Sequence, residues 1–311
     1  MNIRIFPIIL IILTGLTACQ PISTAVETAP IPSQGAMEDI SVPPTATAIP
    51  PTATELPTLS ETQIKNMTVY APVYQREITL TDGSFTIEGE FWVNLLPNIA
   101  FGDLNGDGRE DSAVLLAENG GGSGTFVSLL VLLNVNGQPT QAGAVLIDDR
   151  PLIQSVEIVD KKISLEAVIH TASDPGCCPT LEVSQTYVLD GDRLVLIRQT
   201  SLATSGAVRA IFIEDPTSGS LVSTTVQIQG NMPIAPFENN LVYRVYDLSF
   251  TELDAGPFSV TSADYGGPAT FDNSLSSPAF VPGTTIWFEL MDTSAADGTP
   301  LAIERIKLVI Q

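Results

Sequence analysis

The densest run of potential metal ligands in the chain is Asp103-Leu104-Asn105-Gly106-Asp107-Gly108-Arg109-Glu110-Asp111. Side-chain oxygens at its first, third and fifth positions, a glycine at the sixth that permits a tight turn, the Arg109 carbonyl at the seventh and a carboxylate at the ninth can wrap a hard cation. Calcium takes about six to eight oxygens, and three carboxylates, one amide and one carbonyl nearly provide them before any water. Ca2+ is therefore the expected cofactor, in a structural role that pins one hairpin, with Asp103, Asn105, Asp107, Arg109 and Asp111 as ligands. The alternative is an Asx-rich turn without metal. Against it, Asp103, Asp107 and Asp111 in one loop with no cation would concentrate like charge at a cost.

A second unusual stretch is Asp174-Pro175-Gly176-Cys177-Cys178-Pro179-Thr180. Adjacent Cα atoms lie about 3.8 Å apart, short of the usual disulfide span of about 4.4–6.8 Å. A vicinal Cys177–Cys178 disulfide that rigidifies the turn and a pair of buried thiols both stay open. His170 is the only histidine. With Cys177, Cys178 and Asp174 it makes an imaginable zinc set, but adjacent cysteines rarely both reach one tetrahedral ion and paired C-x-x-C spacing is absent. The stretch Glu118 to Thr125 (E-N-G-G-G-S-G-T) is rich in glycine, yet no Lys follows and no helix is signalled, so it is not a phosphate-binding P-loop. It reads as a flexible loop, or one that touches a glycan or peptide.

Catalysis needs a nucleophile with a base, a carboxylate pair or an open metal. One His, no H-E-x-x-H and no supported Ser-His-Asp spacing leave only acidic pairs such as Asp148/Asp149 and Glu88/Glu90, and these are commoner as solvated strand faces and turns. A non-catalytic protein is expected. A glycan-acting enzyme with two carboxylates is the least implausible catalytic version.

The elements that must hold these residues are strands. Asp82-Gly83, Asn136-Gly137, Asp160-Lys161 and Asp190-Gly191 punctuate short apolar runs and supply the positive φ of tight hairpins. With 23 Gly, 23 Pro and 6% aromatics in 311 residues, a turn-rich, mainly β chain is expected. The metal-ligand run is not an EF-hand, since Val114 stands where the bidentate Glu would be and its flanks read as strands. It resembles the D-x-N-x-D-G-x-x-D calcium hairpins of FG-GAP and integrin-type repeats, in one copy, which implies a calcium loop without implying a propeller. This loop, the Gly-rich stretch and D-P-G-C-C-P-T together are similar to a β-rich domain of bacterial surface lipoproteins.

Composition and charge narrow the partners. The chain carries 35 acidic and 13 basic side chains, a formal net charge of −22. Nucleic-acid binding is excluded as an expectation, because phosphate contacts need clustered Lys or Arg and Lys161-Lys162 is the one adjacent basic pair. Arg4 precedes an apolar run from Ile5 to Leu13, too short to cross a hydrocarbon core of roughly 30 Å, and Leu16-Thr17-Ala18-Cys19 follows. Those four residues resemble the lipobox of bacterial lipoproteins. The resemblance implies a signal peptide at residues 1–18 and lipidation of Cys19, hence a protein held to the extracytoplasmic face of the cell membrane. Residues 19–64 are rich in Pro, Thr, Ala and Ser, contain no Lys or Arg, and repeat P-P-T-A-T from Pro43 and Pro50. Too few large apolar residues are present to offset ordering entropy, so a disordered stalk is expected.

Two β domains follow, at 65–200 and 205–311. In the second, six or seven strands in little more than a hundred residues, with inward alternation at Val226/Ile228 and Ile286/Phe288/Leu290 and Trp287 as a core aromatic, fit an immunoglobulin-like β-sandwich. Glu214-Asp215-Pro216, Phe237 to Leu241 (F-E-N-N-L), Tyr243 to Asp247 (Y-R-V-Y-D) and Ala296-Asp297-Gly298 resemble the immunoglobulin-like domain of bacterial spore germination proteins. That resemblance implies an extracellular binding or spacer module without catalytic residues. The expected whole is a lipid-anchored surface protein that binds an envelope protein or glycan, with a purely structural spacer as its rival.

Overall fold

The computed structural model describes residues 57–311. The expected signal peptide, Cys19 and the stalk up to residue 56 lie outside the described residues. The stalk was expected to reach residue 64, but residues 57–64 belong to the fold. A short helix, α1 (Glu61–Lys65), starts at Ser60, whose hydroxyl accepts from the Gln63 amide while Gln63 Oε1 accepts from the Ser60 amide. This reciprocal cap satisfies two orphan donors, and Leu59 and Ile64 then fill the core. Among the described residues no helix is long and apolar enough to cross a membrane.

The first half has three layers. A hairpin of β1 (Thr68–Ala71) and β2 (Arg76–Thr79) lies with α1 on one side. The middle layer is an antiparallel meander of β3 (Ser84–Ile87), β4 (Phe91–Gly102), β5 (Asp111–Asn119), β6 (Phe126–Val135) and β7 (Gln138–Asp149). The third is β8 (Leu152–Val159), β9 (Lys162–Ile169), β10 (Leu181–Asp190) and β11 (Arg193–Leu202), antiparallel throughout. Because β5 lies between two layers, every one of its residues is buried. Ala113, Leu115 and Ala117 meet Ile163, Leu165 and Tyr187, while Val114 and Leu116 meet Ile64, Val69 and Ile78. Burying each such Val or Leu contributes about 1.5–3 kcal/mol, and an unbroken apolar run is what a strand covered on both faces requires. The turn residues do what their types allow. Asn136 (φ 56°) and Gly137 (φ 82°) both take positive φ between β6 and β7, as a tight two-residue hairpin demands.

The polar end of β5 is also buried. The Glu118 carboxylate accepts from the amides of Val73 (3.3 Å) and Tyr74 (3.2 Å), and the Tyr74 hydroxyl accepts from Gly120 N–H (2.8 Å). Burial pushes the Glu118 carboxyl above its usual range, against the pull of the two amides. A carboxyl raised in the fold favours folding while protonated, and that contribution is lost as pH rises through its folded pKa. Glu118→Gln should therefore gain on the parent as pH rises from about 4 to 8. Melting curves of the two proteins across that range check this; a parallel pair of pH profiles would show that Glu118 does not titrate in the fold.

The second half contains β12 (Val208–Arg209), β13 (Phe212–Asp215), β14 (Leu221–Val222), β15 (Thr225–Met232), a 3-10 turn at Phe237–Asn239, β16 (Asn240–Tyr246) and β17 (Glu252–Ser259). It continues with β18 (Thr261–Ser262), β19 (Ala269–Ser276), β20 (Thr285–Thr293) and β21 (Pro300–Ile310). The sheet β13-β15-β19-β18 faces β17-β16-β20-β21 in a sandwich, and Val226, Ile228, Phe271, Phe288, Leu290 and Leu308 fill the space between. The fold is thus mainly β, as expected. Strand β19 was not foreseen. Only Ala269 and Phe271 of its residues are fully buried, and Thr270, Asp272, Ser274 and Ser276 occupy its open face.

The two halves are not separate sheets. β21 also pairs with β11 (Arg198↔Glu304, Gln199↔Ile303), so one path runs β17-β16-β20-β21-β11-β10-β9-β8. The seam is short in backbone pairing and rich in side-chain bonds. Arg198 holds Glu304 through two hydrogen bonds (2.6 and 2.7 Å), Gln199 Nε2 donates to the Pro300 carbonyl (2.8 Å) and Lys307 Nζ meets Asp190 (2.6 Å). Its centre is Arg305, bonded to buried Glu289 and to the Leu196 carbonyl.

Candidate functional site

The loop from Asp103 to Asp111 joins β4 to β5, as its strand-like flanks imply. Asp111, the first residue of β5, is fully buried. Its Oδ2 accepts from Leu104 N–H (2.9 Å) and its Oδ1 from Asn134 N–H (2.9 Å) on β6. One carboxylate thus ties both ends of the loop to the neighbouring strand. Asp103 accepts from Gly106 N–H (2.6 Å) and Gly108 N–H (3.1 Å), one oxygen to each. Asn105 Oδ1 accepts from Asp107 N–H and Asp107 Oδ1 from Arg109 N–H, both at 2.9 Å. Gly106 (φ 84°) and Gly108 (φ 80°) supply the left-handed backbone that turns these amides inward.

The expected ligands therefore share one loop, with the side-chain oxygens of Asp103, Asn105 and Asp107 directed at its own amides. Among the described residues no group of three or more carboxylates, thiols and imidazoles converges as a metal cage. The donor set divides in two. Asn105 and Asp107 are exposed and Asp103 half-buried, with acceptor capacity left on each, whereas Asp111 spends both oxygens on backbone. An oxygen-only set of this kind suits calcium over a transition metal.

Two protein cations also meet the loop. Arg109 lies 3.9 Å from Asp107, and the Lys161 ammonium, from the β8–β9 turn, occupies the space a Cβ on Gly106 would need. For Asp103, burial works against the charged form, but the Gly106 and Gly108 amides and then Lys161 outweigh it and hold its carboxyl below the usual range. The like charge that seemed to require a metal is partly offset from within. Neither Asn134 nor Lys161 was assigned to this loop from sequence: Lys161 was read only as a turn residue and as half of a basic pair. Asn134 caps the loop from outside, donating to the Glu110 carbonyl (3.2 Å) and the Pro57 carbonyl (2.7 Å). Its only sequence signal was N-V-N-G, which read as turn chemistry.

The remaining candidates lie elsewhere. Cys177 and Cys178 are joined by a disulfide within the β9–β10 turn, their Cα atoms 3.8 Å apart. Asp174 clamps that turn, accepting from Thr171 N–H and Thr180 N–H at 2.9 Å each, and these bonds hold its carboxyl below the usual range. His170 does not join the cysteines. Its Nδ1 lies 2.8 Å from Asp148 Oδ2, and its buried Nε2 has no hydrogen-bond partner among the described residues. Asp149, beside it, is held below its usual range by Arg150. Glu88 and Glu90 are exposed in the β3–β4 turn. The Gly-rich loop is held by Asn119, which donates to the Gly122 carbonyl (3.0 Å).

Residues 210–299 match the family described as the immunoglobulin-like domain of bacterial spore germination. Neither a curated protein nor a solved structure matches the chain. The match ends just before β21, the strand that completes the sandwich and also forms the seam with β11.

Proposed function

We propose that a chain carrying the immunoglobulin-like domain of bacterial spore germination over residues 210–299 acts in the cell envelope as a non-catalytic binding or adhesion protein. The match is the observation that carries this reading. Lipid on Cys19 anchors it to the extracytoplasmic face of the membrane, and residues 19–56 lead from the anchor to the fold. Its partner is an envelope protein or glycan, and the surplus of acidic groups disfavours nucleic acid. The sheet shared by the two halves favours a second reading, a stiff structural spacer.

The test is retention of an envelope extract by the full chain in detergent, with fractionation of Cys19→Ala beside it. Specific capture of an envelope component, and loss of membrane fractionation in Cys19→Ala, are expected. A protein that captures nothing is a spacer, and one that fractionates unchanged without Cys19 is not lipid-anchored.

Calcium, in the same proposal, is bound by Asp103, Asn105, Asp107 and the Arg109 carbonyl, while Asp111 holds the loop in place through its two backbone bonds, and the ion stiffens the β4–β5 connection. With a dissociation constant near 0.1 mM, about 1 mM calcium adds roughly 1.4 kcal/mol, a rise of about 3–5 °C in Tm. Asp107→Ala should abolish that rise and leave the calcium-free Tm nearly unchanged. A parent whose melting curve is identical in calcium and in chelator would overturn it.

A further inference from the structure

At one end of the sandwich, β12, the end of β20 and the loops at 233–237, 263–268 and 294–299 enclose a cavity of about 300 Å³. Its size falls at the lower end of the range of small-ligand pockets, roughly 300–1,000 Å³. Two features of its wall have no evident purpose in the sandwich itself. The first is a buried ion pair. Asp292, only 1% exposed, accepts from Arg209 Nη1 (2.8 Å), and no other side-chain hydrogen bond engages either residue among the described residues. A buried pair is weak evidence for stability, since desolvation offsets the attraction. The Asp292 carboxylate stands where β20 and β21 lose register between Asp292 and Thr293, and such a bulge re-aims side chains at the end of a sheet. The second is a pair of exposed aromatics: Tyr265 is 90% exposed and Phe237 50%.

The walls are fixed in advance. Ala235 N–H donates to the Gly267 carbonyl (2.7 Å), which joins the two aromatic loops. Thr299 N–H donates to Asp297 (3.1 Å), Ser294 N–H to the Thr299 carbonyl (2.8 Å), and Ala172 N–H of the first half braces Thr299 Oγ1 (2.8 Å). A site held by such bonds loses little entropy on binding.

The geometry points to a saccharide site, with Arg209 and Asp292 as its polar floor and Tyr265 and Phe237 as its stacking rim, that takes an uncharged, plain or N-acetylated, sugar unit of a glycan. A hydroxyl both donates and accepts, and an adjoining guanidinium and carboxylate serve both needs at once; an ammonium or a carboxylate ligand would use only one of the two. Aromatic faces suit the apolar face of a sugar ring. Asp264 beside Tyr265, Glu238 beside Phe237, and Asp297 in the third loop outnumber Arg209 once Asp292 is set against it, which disfavours anionic ligands. The inference deepens the envelope-binding reading and rests on it for where a glycan is met.

The experiment is calorimetric titration of the full chain in detergent with N-acetylated chitotriose, maltotriose and, as the anionic arm, trigalacturonate, followed by envelope capture with the same proteins. Binding of a neutral or N-acetylated trisaccharide is expected, weakened about tenfold in Tyr265→Ala and lost in Arg209→Gln. Tyr265 is exposed, so its variant keeps the fold, and an unchanged Tm checks this. No binding by the parent, preference for trigalacturonate, or affinity unmoved by Tyr265→Ala would overturn the site. If envelope capture persists in Tyr265→Ala at parental strength, the saccharide site fails while the envelope reading stands. If chitotriose binds and no envelope component is captured, the site stands and the envelope reading fails.

Discussion

Arg305→Met is expected to cost about 3–5 kcal/mol, the usual loss when one partner of a buried ion pair is removed. Glu289 is buried on β20, where Arg305 and the Tyr246 hydroxyl (3.3 Å) are its hydrogen-bond partners. Without the guanidinium it is left with the Tyr246 hydroxyl and, across the strand pair, Arg244, which is shared with Glu252. Arg305 does more than neutralise Glu289. It donates to the Leu196 carbonyl of β11 (2.5 Å) and lies over the rings of Tyr246 (5.6 Å) and Phe250 (5.2 Å). Phe250 holds a left-handed backbone (φ 64°), costly for a bulky residue, and in that conformation its ring stacks on Trp287 at 5.9 Å. The double variant Arg305→Met/Glu289→Leu should regain most of the loss, because an apolar pair of similar volume often matches a buried ion pair. Urea unfolding of the single and double variants measures both. A single-variant loss below about 1 kcal/mol would rank the pair with exposed ones and move the weight of the seam to Arg198–Glu304.

Asp111→Ala should be nearly as damaging, for a different reason. It orphans two buried amides, Leu104 N–H and Asn134 N–H, at about 1–3 kcal/mol each. Asp111→Asn rescues only in part, since its amide nitrogen would face one of those donors. Asp107→Ala, at an exposed position, should cost little in the absence of calcium. The contrast separates two functions that the sequence motif merges: a carboxylate that builds the hairpin and carboxylates left for a cation. Chemical denaturation in chelator, then in calcium, resolves them. Equal losses for the two variants in chelator would mean that Asp107 is as structural as Asp111.

Much of this was legible in the residues. Asn136-Gly137 marked its hairpin, because few other pairs tolerate two successive positive φ angles. Val226/Ile228 and Ile286/Phe288/Leu290 marked the sandwich interior by period alone, and all five are buried. Trp287 was expected as a core aromatic and is buried, but the burial of Glu289 and Met291 beside it was not legible. They lie on the other face of β20 and are buried as well, with Trp287 under Phe250 and Lys307. A strand covered on both faces loses its alternation, and what covers it comes from far along the chain. The seam was hidden for the same reason: Arg198 and Glu304 are 106 residues apart, and neither strand carries a local mark of the other. At the loop, the motif fixed which oxygens are close. It could not reveal that Asp111 is committed to backbone or that Lys161 arrives from another turn.

A sheet as long as the one running from β17 to β8 has two open borders, where unpaired amides and carbonyls can recruit a strand from a second copy. The β17 border is poorly suited to such recruitment. Pro257 has no amide proton to offer, and Glu252 and Asp254 give that border a negative charge that a second copy would have to approach. The features that look unremarkable within that strand thus bear on colloidal behaviour: they let two halves share a sheet while discouraging the next molecule from extending it.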